Sequence, residues 1–305
     1  MNMESLRDFV WHEWSHSFVN PLTDKYMGRV TASEKLLEPI AERMATSYPY
    51  WYSCVNEHII RAINVRLLEL HSEPQQAKKM LDNELSRRFI YIEPLIEKLK
   101  DFENQREKNH ITFSEFYPEL LNTLDSLLKI EYWKQIDMNF KGPIFEVYRT
   151  PQRAFIYPTQ DSNAESLKTI QDYVARVFNM SQLVNGLLLA DTTALKTDLS
   201  DYGISAYGTI ESNLFLKQHA DLFPFKIENQ TIYADKKYTD PTIRLFSCVP
   251  NPYNSEIGMV IFTAISNDAY QNPVQTSLDV DYLLLLDSDT VLSKGFYDKN
   301  GKWTF

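Results

Sequence analysis

The sequence feature that most constrains this chain is an H-E-x-x-H motif at residues 12–16. On an α-helix, side chains four positions apart lie on one face, one turn from each other. A helix through this segment therefore brings the imidazoles of His12 and His16 within reach of one tetrahedral Zn²⁺. Glu13 projects beside that face, where a metallohydrolase places the general base that deprotonates water. The motif thus predicts a helix, a metal and a base together.

The residues that flank the motif are uncharged, which favours a helix buried beneath an active site over a solvated helix. They are Val10, Trp11, Trp14, Ser15, Ser17 and Phe18. Asn20 and Pro21 predict that the helix ends directly after the motif. The alternative interpretation is a pair of buried histidines that hydrogen bonds satisfy, although a buried Glu13 between them would be costly without a partner.

A catalytic zinc needs a third protein ligand and one open position. Cys54 and Cys248 are isolated and lack the C-x-x-C spacing of zinc-binding cysteines. The better candidate is Glu57, which lies in a helix predicted over residues 50–70 from the helical spacing of its apolar residues. Glu57 and Arg61 are also i,i+4 partners, so a plain ion pair on a helix surface is the alternative.

These two segments resemble a family of uncharacterised bacterial proteins that are interpreted as gluzincin-type (HExxH…E) zinc metallopeptidases. The resemblance rests on H-E-W-S-H-S-F-V-N-P at residues 12–21 and N-E-x-x-x-R-A at residues 56–62, and it extends over residues 8–130. It implies a zinc-dependent hydrolase, in particular a peptidase, that acts on a peptide or protein substrate through a zinc-bound water. The residues that it implies are the zinc ligands His12, His16 and Glu57 and the general base Glu13.

A peptidase of this kind also needs a donor that stabilises the tetrahedral oxyanion. We assign Arg61 and Tyr52 to catalysis on this ground, and Arg61 is alternatively a partner that orients Glu57. The further candidates are Tyr48, Tyr50 and Tyr117. Each of these aromatic residues would equally suit an apolar core. His58 is a weaker alternative zinc ligand, because on the predicted helix it faces a different direction from Glu57.

Zincin catalytic domains place a β-sheet before the motif helix, and an edge strand of that sheet pairs with the extended substrate. Only eleven residues precede His12. We therefore expect either that the helical part is truncated at its N-terminus, which we favour, or that the sheet is built from later residues. The separation of His16 from Glu57 leaves room for an inserted helix over residues 33–45.

The patterns along the chain predict an α+β protein in two parts. Residues 1–140 read as helices and form the zincin-like part, with capping boxes at Thr31 and Thr112 that predict helix starts. A Gly-Pro pair at residue 142 marks the boundary. In residues 141–305, strands alternate with helices, which favours an α/β domain with a mixed, partly parallel sheet.

The second part carries weaker functional candidates. An apolar run ends in a D-x-D pair, Asp287 and Asp289, a pattern by which nucleotide-sugar glycosyltransferases hold Mg²⁺ or Mn²⁺. We favour two turn-forming residues at a strand end over that metal site. Gly208 precedes a predicted helix whose N–H groups suit an anion, but it lacks the G-x-G-x-x-G pattern. The remaining alternative is a non-catalytic binding protein that carries a remnant zincin site.

Composition excludes some classes of function. The net charge of −10 argues against a general nucleic-acid binder, which needs clustered Lys and Arg to neutralise phosphates. No apolar run approaches the twenty or so residues of a transmembrane helix. The first residues lack the apolar stretch of a signal peptide, but the expected truncation leaves an extracytoplasmic location open. The sequence also leaves the oligomeric state open.

Overall fold

The computed structural model describes residues 3–45, 47–71, 73–183, 185–270, 278–286, 290–297 and 303–304. The chain divides into two compact units, Met1–Asp137 and Met138–Phe305. The first unit is helical, and the second carries a mixed sheet of parallel and antiparallel strands. The predicted α+β class is therefore confirmed. No helix among the described residues is both long and apolar enough to cross a membrane.

Helices build the first unit around one buried helix, α4. The α-helices are α1 (Met3–Lys25), α2 (Met27–Ala32), α3 (Ala41–Met44), α4 (Trp51–Leu70), α5 (Pro74–Ser86), α6 (Ile92–Asn109) and α7 (Phe113–Lys129), with 3₁₀ helices at Glu34–Ile40 and Tyr132–Gln135. Helices α1, α5 and α6 pack against α4, and most residues of α4 are buried. The helix predicted over residues 50–70 is confirmed, and its apolar pattern is that of the central core helix.

Helix α1 continues through Pro21 to Lys25, so the predicted helix end after Asn20 is wrong. Proline cannot donate to the carbonyl four residues back, and its ring crowds that carbonyl. Here Pro21 and Ser17 are both exposed, so water can satisfy the carbonyl that loses its partner. On the opposite side Thr23 is buried and its hydroxyl hydrogen-bonds the side chain of Asn56 on α4. The contact of Thr23 with α4 therefore stabilises the helix beyond Pro21.

Only one of the two predicted capping boxes forms. The Thr112 hydroxyl accepts the Glu115 N–H at 3.3 Å, and the Glu115 carboxylate accepts the Thr112 N–H at 2.8 Å, so the start of α7 is confirmed. Thr31 instead lies inside α2. The buried Ser33 hydroxyl accepts a hydrogen bond from the indole of Trp51 at 3.0 Å. This tertiary contact replaces the local cap, and a 3₁₀ helix followed by α3 stands where one inserted helix was predicted.

The second unit is built on an eight-stranded sheet. Its strands are β1 (Arg153–Tyr157), β2 (Leu187–Ala190), β3 (Gly203–Tyr207), β7 (Arg244–Asn251), β8 (Asn254–Ala264), β9 (Tyr282–Leu286), β10 (Thr290–Tyr297) and β11 (Trp303–Thr304), and β4 (Lys226–Glu228), β5 (Thr231–Tyr233) and β6 (Lys237–Tyr238) form a separate small sheet. The helices are α8 (Ile144–Tyr148), α9 (Ala164–Ser181), α10 (Asp191–Ala194) and α11 (Leu214–Gln218). The strand order is β11-β10-β9-β7-β8-β3-β1-β2, with β2, β1, β3 and β8 parallel.

Both faces of the large sheet are apolar, as expected where elements cover the two sides of a partly parallel sheet. Because side chains alternate along a strand, Met259 and Ile261 join one buried cluster and Val260 and Phe262 join the other. The strands predicted at residues 155–157, 204–207, 243–249, 259–264 and 282–286 are confirmed. The helix predicted over residues 210–219 is shorter, because Asn213 caps α11 with its side chain.

A buried carboxylate, Asp281, lies just before β9 in this unit. It packs against the α-carbon of Gly142, where a side chain would collide with it. One of its oxygens accepts the Tyr297 N–H at 3.0 Å. Burial raises the pKa of Asp281 to about 7, whereas an aspartate in an unfolded chain has a pKa of about 3.9. The folded state therefore holds the proton more tightly than the unfolded state does.

We expect Asp281→Asn to stabilise the protein at pH 8 and to change little at pH 4. In the wild type, the free energy of unfolding falls as pH rises from the unfolded pKa through the folded pKa of about 7, by up to about 4 kcal/mol in total. Asparagine keeps an acceptor for the Tyr297 N–H and carries no charge. Urea unfolding at both pH values measures the effect. The exposed Asp172→Asn is the control, and equal gains from Asp281→Asn at both pH values would contradict the account.

Candidate metal centre

Two helices of the first unit bring the predicted ligands together. His12 and His16 lie one turn apart on α1, and Glu57 projects from α4, against which α1 packs. Glu57 is buried and both histidines are half-buried. One ligand atom from each of the three residues can be chosen so that all lie within 4.8 Å of one another. The three ligands proposed from sequence therefore form one cluster.

The spacing of the donor atoms suits a small tetrahedral ion. Nε2 of His12 lies 3.6 Å from Oε2 of Glu57, and Nε2 of His16 lies 3.4 Å from Oε1. Ligand atoms at about 2.0–2.1 Å from a tetrahedral ion lie about 3.3 Å from each other. The two imidazole rings stand edge to face with centroids 5.2 Å apart, so they do not block each other. The three donors lie within 4.8 Å of one another, so small shifts of the side chains would let them hold one Zn²⁺.

Charge keeps Glu57 ionised, as a metal ligand must be. Burial by itself raises the pKa of the Glu57 carboxyl, but the neighbouring His12 imidazole and the positive charge of Arg61 lower it and outweigh burial. The net result is a pKa of about 2. Oε2 of Glu57 accepts from Nη2 of Arg61 at 2.8 Å. The carboxylate is therefore charged and fixed in orientation across the neutral pH range.

Arg61 links the metal cluster to a second buried carboxylate, Glu84 on α5. Its Nη1 donates to both Glu84 oxygens at 2.7 Å, and its guanidinium lies 4.2 Å from the ring centroid of Phe89. Nη2 also donates to the Tyr48 hydroxyl at 3.3 Å. The alternative of a plain surface ion pair is wrong, because Arg61, Glu57 and Glu84 are all buried. Arg61 acts through Glu57 in this arrangement, as a residue that positions it.

We expect Arg61→Leu to lower the free energy of unfolding by about 3–5 kcal/mol, because it leaves two buried carboxylates without their cation. Urea unfolding of the metal-free chain measures the change. The matched control is Arg66→Leu on the same helix, where the arginine pairs with Glu69 and Glu103 near the surface. Surface ion pairs contribute about 0–1 kcal/mol. Equal losses in the two variants would contradict the buried network.

Glu13 lies on the exposed side of α1, next to His12 in sequence. Its neighbours are not buried as the uncharged flanks predicted: Trp14 is 64% exposed, and Ser15 is the buried exception. Helix α1 turns one narrow face, with His12, His16 and Val19, toward the core, so the remaining apolar side chains stay at the surface. The exposed ones are Leu6, Phe9, Val10, Trp14 and Phe18.

The candidate oxyanion donors are placed differently from one another. The Tyr52 hydroxyl donates to Asp24 at 3.0 Å, and the structure shows no hydrogen bond from it to the metal cluster. Tyr117 is buried with its hydroxyl 2.6 Å from that of Thr23, and Tyr50 is exposed. Tyr48 is the tyrosine of this set whose hydroxyl joins the Arg61–Glu57 network. Burial and the charge of Glu57 raise its pKa, so it stays a protonated donor.

The histidine of α4, His58, points into the aromatic core. Its Nδ1 lies 2.8 Å from the Cys54 carbonyl, and its ring packs against Phe89 and Tyr91. Burial lowers the pKa of His58 to about 4, so it is neutral. It does not join the cluster of His12, His16 and Glu57. Cys54 and Cys248 are both free and buried, in different units.

Two asparagines beside the cluster were missed at the level of sequence. Asn20 and Asn64 each lie 3.3 Å from Nδ1 of a cluster histidine, His16 and His12 respectively. Asn20 follows His16 by four residues, and Asn64 follows Glu57 by seven, so both share a helix face with a ligand. That spacing was the available signal. In the sequence, Asn20 instead predicted a helix end.

The candidates in the second unit gain no support as sites. Asp287 and Asp289 lie outside the described residues. The N–H of Thr209, beside Gly208, donates to the Asn267 side chain at 3.1 Å and is thus occupied within the fold. Asn251 ends β7, and its buried side-chain amide donates to the Leu199 and Tyr202 carbonyls.

Comparison with known proteins finds one family model, which is similar to part of the first unit and carries no described function. Residues 1–123 match the model of a family described as a domain of unknown function, DUF4932. This match includes all three residues of the cluster and Glu13. Searches of curated proteins and of solved structures find no match to the chain.

Proposed function

We propose that this protein is a zinc-dependent hydrolase, in particular a gluzincin-type peptidase. The observation that carries the proposal is the cluster of two imidazole nitrogens and one buried carboxylate within 4.8 Å of one another, with Glu13 between the two histidines in sequence. The donor set favours zinc, because Mg²⁺ and Ca²⁺ prefer oxygen ligands throughout. Three protein ligands leave one position open, as in catalytic rather than structural zinc sites.

When bound, zinc supplies Lewis acidity and lowers the pKa of water to about 7. In this proposal, residues of the chain transfer the proton, orient the ligand and stabilise the oxyanion. Glu13 accepts the proton of the attacking water at its carboxylate and passes it to the nitrogen of the leaving amine. Arg61 holds Glu57 in place through the 2.8 Å hydrogen bond. The Tyr48 hydroxyl, which burial keeps protonated, is the donor that we assign to the oxyanion.

A binding protein that holds zinc without hydrolysis is the second candidate. The exposed apolar side chains of α1 favour it, because exposed apolar patches on proteins mark interaction surfaces. The two candidates differ in one respect that can be measured. Hydrolysis requires the Glu13 carboxylate, whereas binding of a partner by the apolar side chains does not.

Digestion of a mixed peptide library, read by mass spectrometry, tests the proposal. We expect the zinc-loaded chain to cleave peptide bonds, a chelator to stop cleavage, and added Zn²⁺ to restore it. The His16→Ala chain, prepared in parallel, controls for contaminating proteases. Cleavage that resists the chelator, or that His16→Ala retains, would contradict the peptidase proposal. A zinc-loaded chain that cleaves no peptide would favour the binding protein.

A further inference from the structure

Glu84 on α5 is a buried carboxylate that the proposed mechanism does not use. It is 7% exposed, and both of its oxygens accept from Nη1 of Arg61 at 2.7 Å. A buried carboxylate is costly unless a cation and hydrogen bonds pair it. The Arg61 guanidinium meets this need, and the same guanidinium also contacts a proposed metal ligand. Glu84 is therefore connected to the metal cluster through a single side chain.

The Arg61 guanidinium is divided between two carboxylates on different helices. Its Nη2 donates to Oε2 of Glu57 at 2.8 Å, and its Nη1 is held by Glu84. A guanidinium is planar, and its donors form a rigid fork, so the position of one nitrogen determines the position of the other. Glu84 thus fixes the point at which Nη2 meets Glu57, although Glu84 lies outside the cluster that could hold the ion.

Glu84 also changes the charge that a metal ion would meet. Arg61 and Glu57 alone form a neutral pair, in which the cation competes with a metal for the negative charge of the ligand. The second carboxylate, Glu84, leaves one net negative charge on the three groups together. All three residues are buried, and charges in a protein interior interact more strongly than charges in water. The Glu84 charge therefore favours binding of a divalent cation beside Glu57.

A second arginine contacts Glu84 from a more exposed position. Nη1 of Arg87 donates to the two Glu84 oxygens at 3.2 and 3.3 Å, and the Arg87 side chain is 20% exposed against 9% for that of Glu84. Its positive charge opposes the effect of Glu84 on a metal ion. Removal of the Arg87 charge should therefore act in the opposite direction to removal of the Glu84 charge, which separates an effect of charge from a loss of packing.

We propose that Glu84 is a positioning residue of the metal site, which orients Glu57 through Arg61 and leaves that ligand with the negative charge that a divalent cation needs. This inference rests on the proposed function, because it takes Glu57 as a metal ligand. Residues that hydrogen-bond a metal ligand typically change metal affinity by about 10–100-fold when they are removed. Glu84 acts through one further side chain, so we expect an effect of about 10-fold.

The zinc affinity of Glu84 variants, measured by competition with a chromophoric chelator, tests the proposal. Glu84→Gln keeps the shape of the side chain and an acceptor for Arg61 but removes the charge, and we expect it to bind zinc about 10-fold more weakly than the wild type. Glu84→Asp keeps the charge and should bind zinc more tightly than Glu84→Gln. The matched control is Glu103→Gln, because Glu103 on α6 pairs with Arg66 of α4 at 2.8 Å near the surface. It should keep the wild-type affinity.

Two further measurements separate positioning from a purely structural role. Arg87→Gln removes a positive charge beside Glu84, so we expect it to bind zinc at least as tightly as the wild type. The visible spectrum of the Co²⁺-loaded chain reports ligand geometry rather than stability. We expect Glu84→Gln to change this spectrum and Glu103→Gln to leave it as in the wild type.

Wild-type zinc affinity in Glu84→Gln would overturn this inference alone, because Glu84 would then only stabilise the fold. A loss of affinity in Arg87→Gln or in Glu103→Gln as large as in Glu84→Gln would also overturn it. A wild type that binds no metal would overturn both this inference and the proposed function.

Discussion

Replacement of Glu13 by glutamine is expected to lower kcat for peptide hydrolysis by about 10²–10⁴-fold while zinc stays bound. Glutamine has nearly the same shape as glutamate but cannot take a proton from water. Glu13 is exposed on α1 and lies outside the group of residues that could hold the ion. Its removal should therefore affect chemistry and leave metal binding intact. Kinetic assays on the zinc-loaded variant, paired with a zinc determination on the same sample, measure both.

The control for this variant is Glu38→Gln, an exposed carboxylate on the 3₁₀ helix Glu34–Ile40. It changes charge by the same amount and should keep the wild-type kcat. If Glu13→Gln retained wild-type activity, Glu13 would not be the general base. If it lost zinc together with activity, the residue would serve the metal rather than the proton transfer.

Replacement of Glu57 by alanine is expected to weaken zinc binding by more than about 100-fold. That value is the upper end of the loss caused by removing a residue that only hydrogen-bonds a metal ligand. The change removes a proposed metal ligand, and it also takes one of two buried carboxylates from Arg61. Two histidines alone would remain, and they lie on one helix without the carboxylate that holds the third position. Competition titration with Zn²⁺ measures the affinity.

Glu57→Gln serves as the matched control for shape, because it keeps the side-chain length and removes the charge. We expect it to lose zinc affinity as well, since a neutral amide is a poor zinc ligand compared with a carboxylate. Both variants should be checked for folding by circular dichroism. Wild-type affinity in Glu57→Ala would mean that another carboxylate supplies the third ligand.

The sequence predicted the helices and strands best where one local pattern agreed with the packing. The apolar spacing over residues 50–70 indicated α4, and the short β-rich apolar run at residues 259–264 indicated part of β8. The pairing of His12 with His16 was likewise predictable, because histidines at i and i+4 lie on one face of any helix. Glu57 required the additional step of placing a carboxylate in an otherwise apolar helix.

The prediction failed where a distant contact or the exposure of a face decided the outcome. Pro21 does not end α1, because it is exposed and Thr23 anchors the following turn. Ser33 is engaged by Trp51, eighteen positions away, so the capping box at Thr31 does not form. The uncharged flanks of the motif indicated burial, yet only one face of α1 meets the core. None of these outcomes could be predicted from the residues within one helical turn of the position concerned.

The contact between Asn64 and His12 was missed for a related reason. The two residues lie fifty-two positions apart, and only the spacing of Asn64 from Glu57 linked it to the predicted ligands. Tyr52 was predicted as a donor to the oxyanion, but its hydroxyl donates to Asp24. The network around Arg61 also depends on Glu84, which comes from α5. The residues that hydrogen-bond Glu57 and its neighbours are thus determined by packing between helices.

The zinc-to-protein ratio of the purified chain, determined by elemental mass spectrometry with His16→Ala in parallel, tests the central claim most directly. The account predicts about one zinc per wild-type chain and a near-complete loss in the variant, because His16 supplies one of three protein ligands. No zinc in the wild type after incubation with Zn²⁺, or equal zinc in the two proteins, would contradict it.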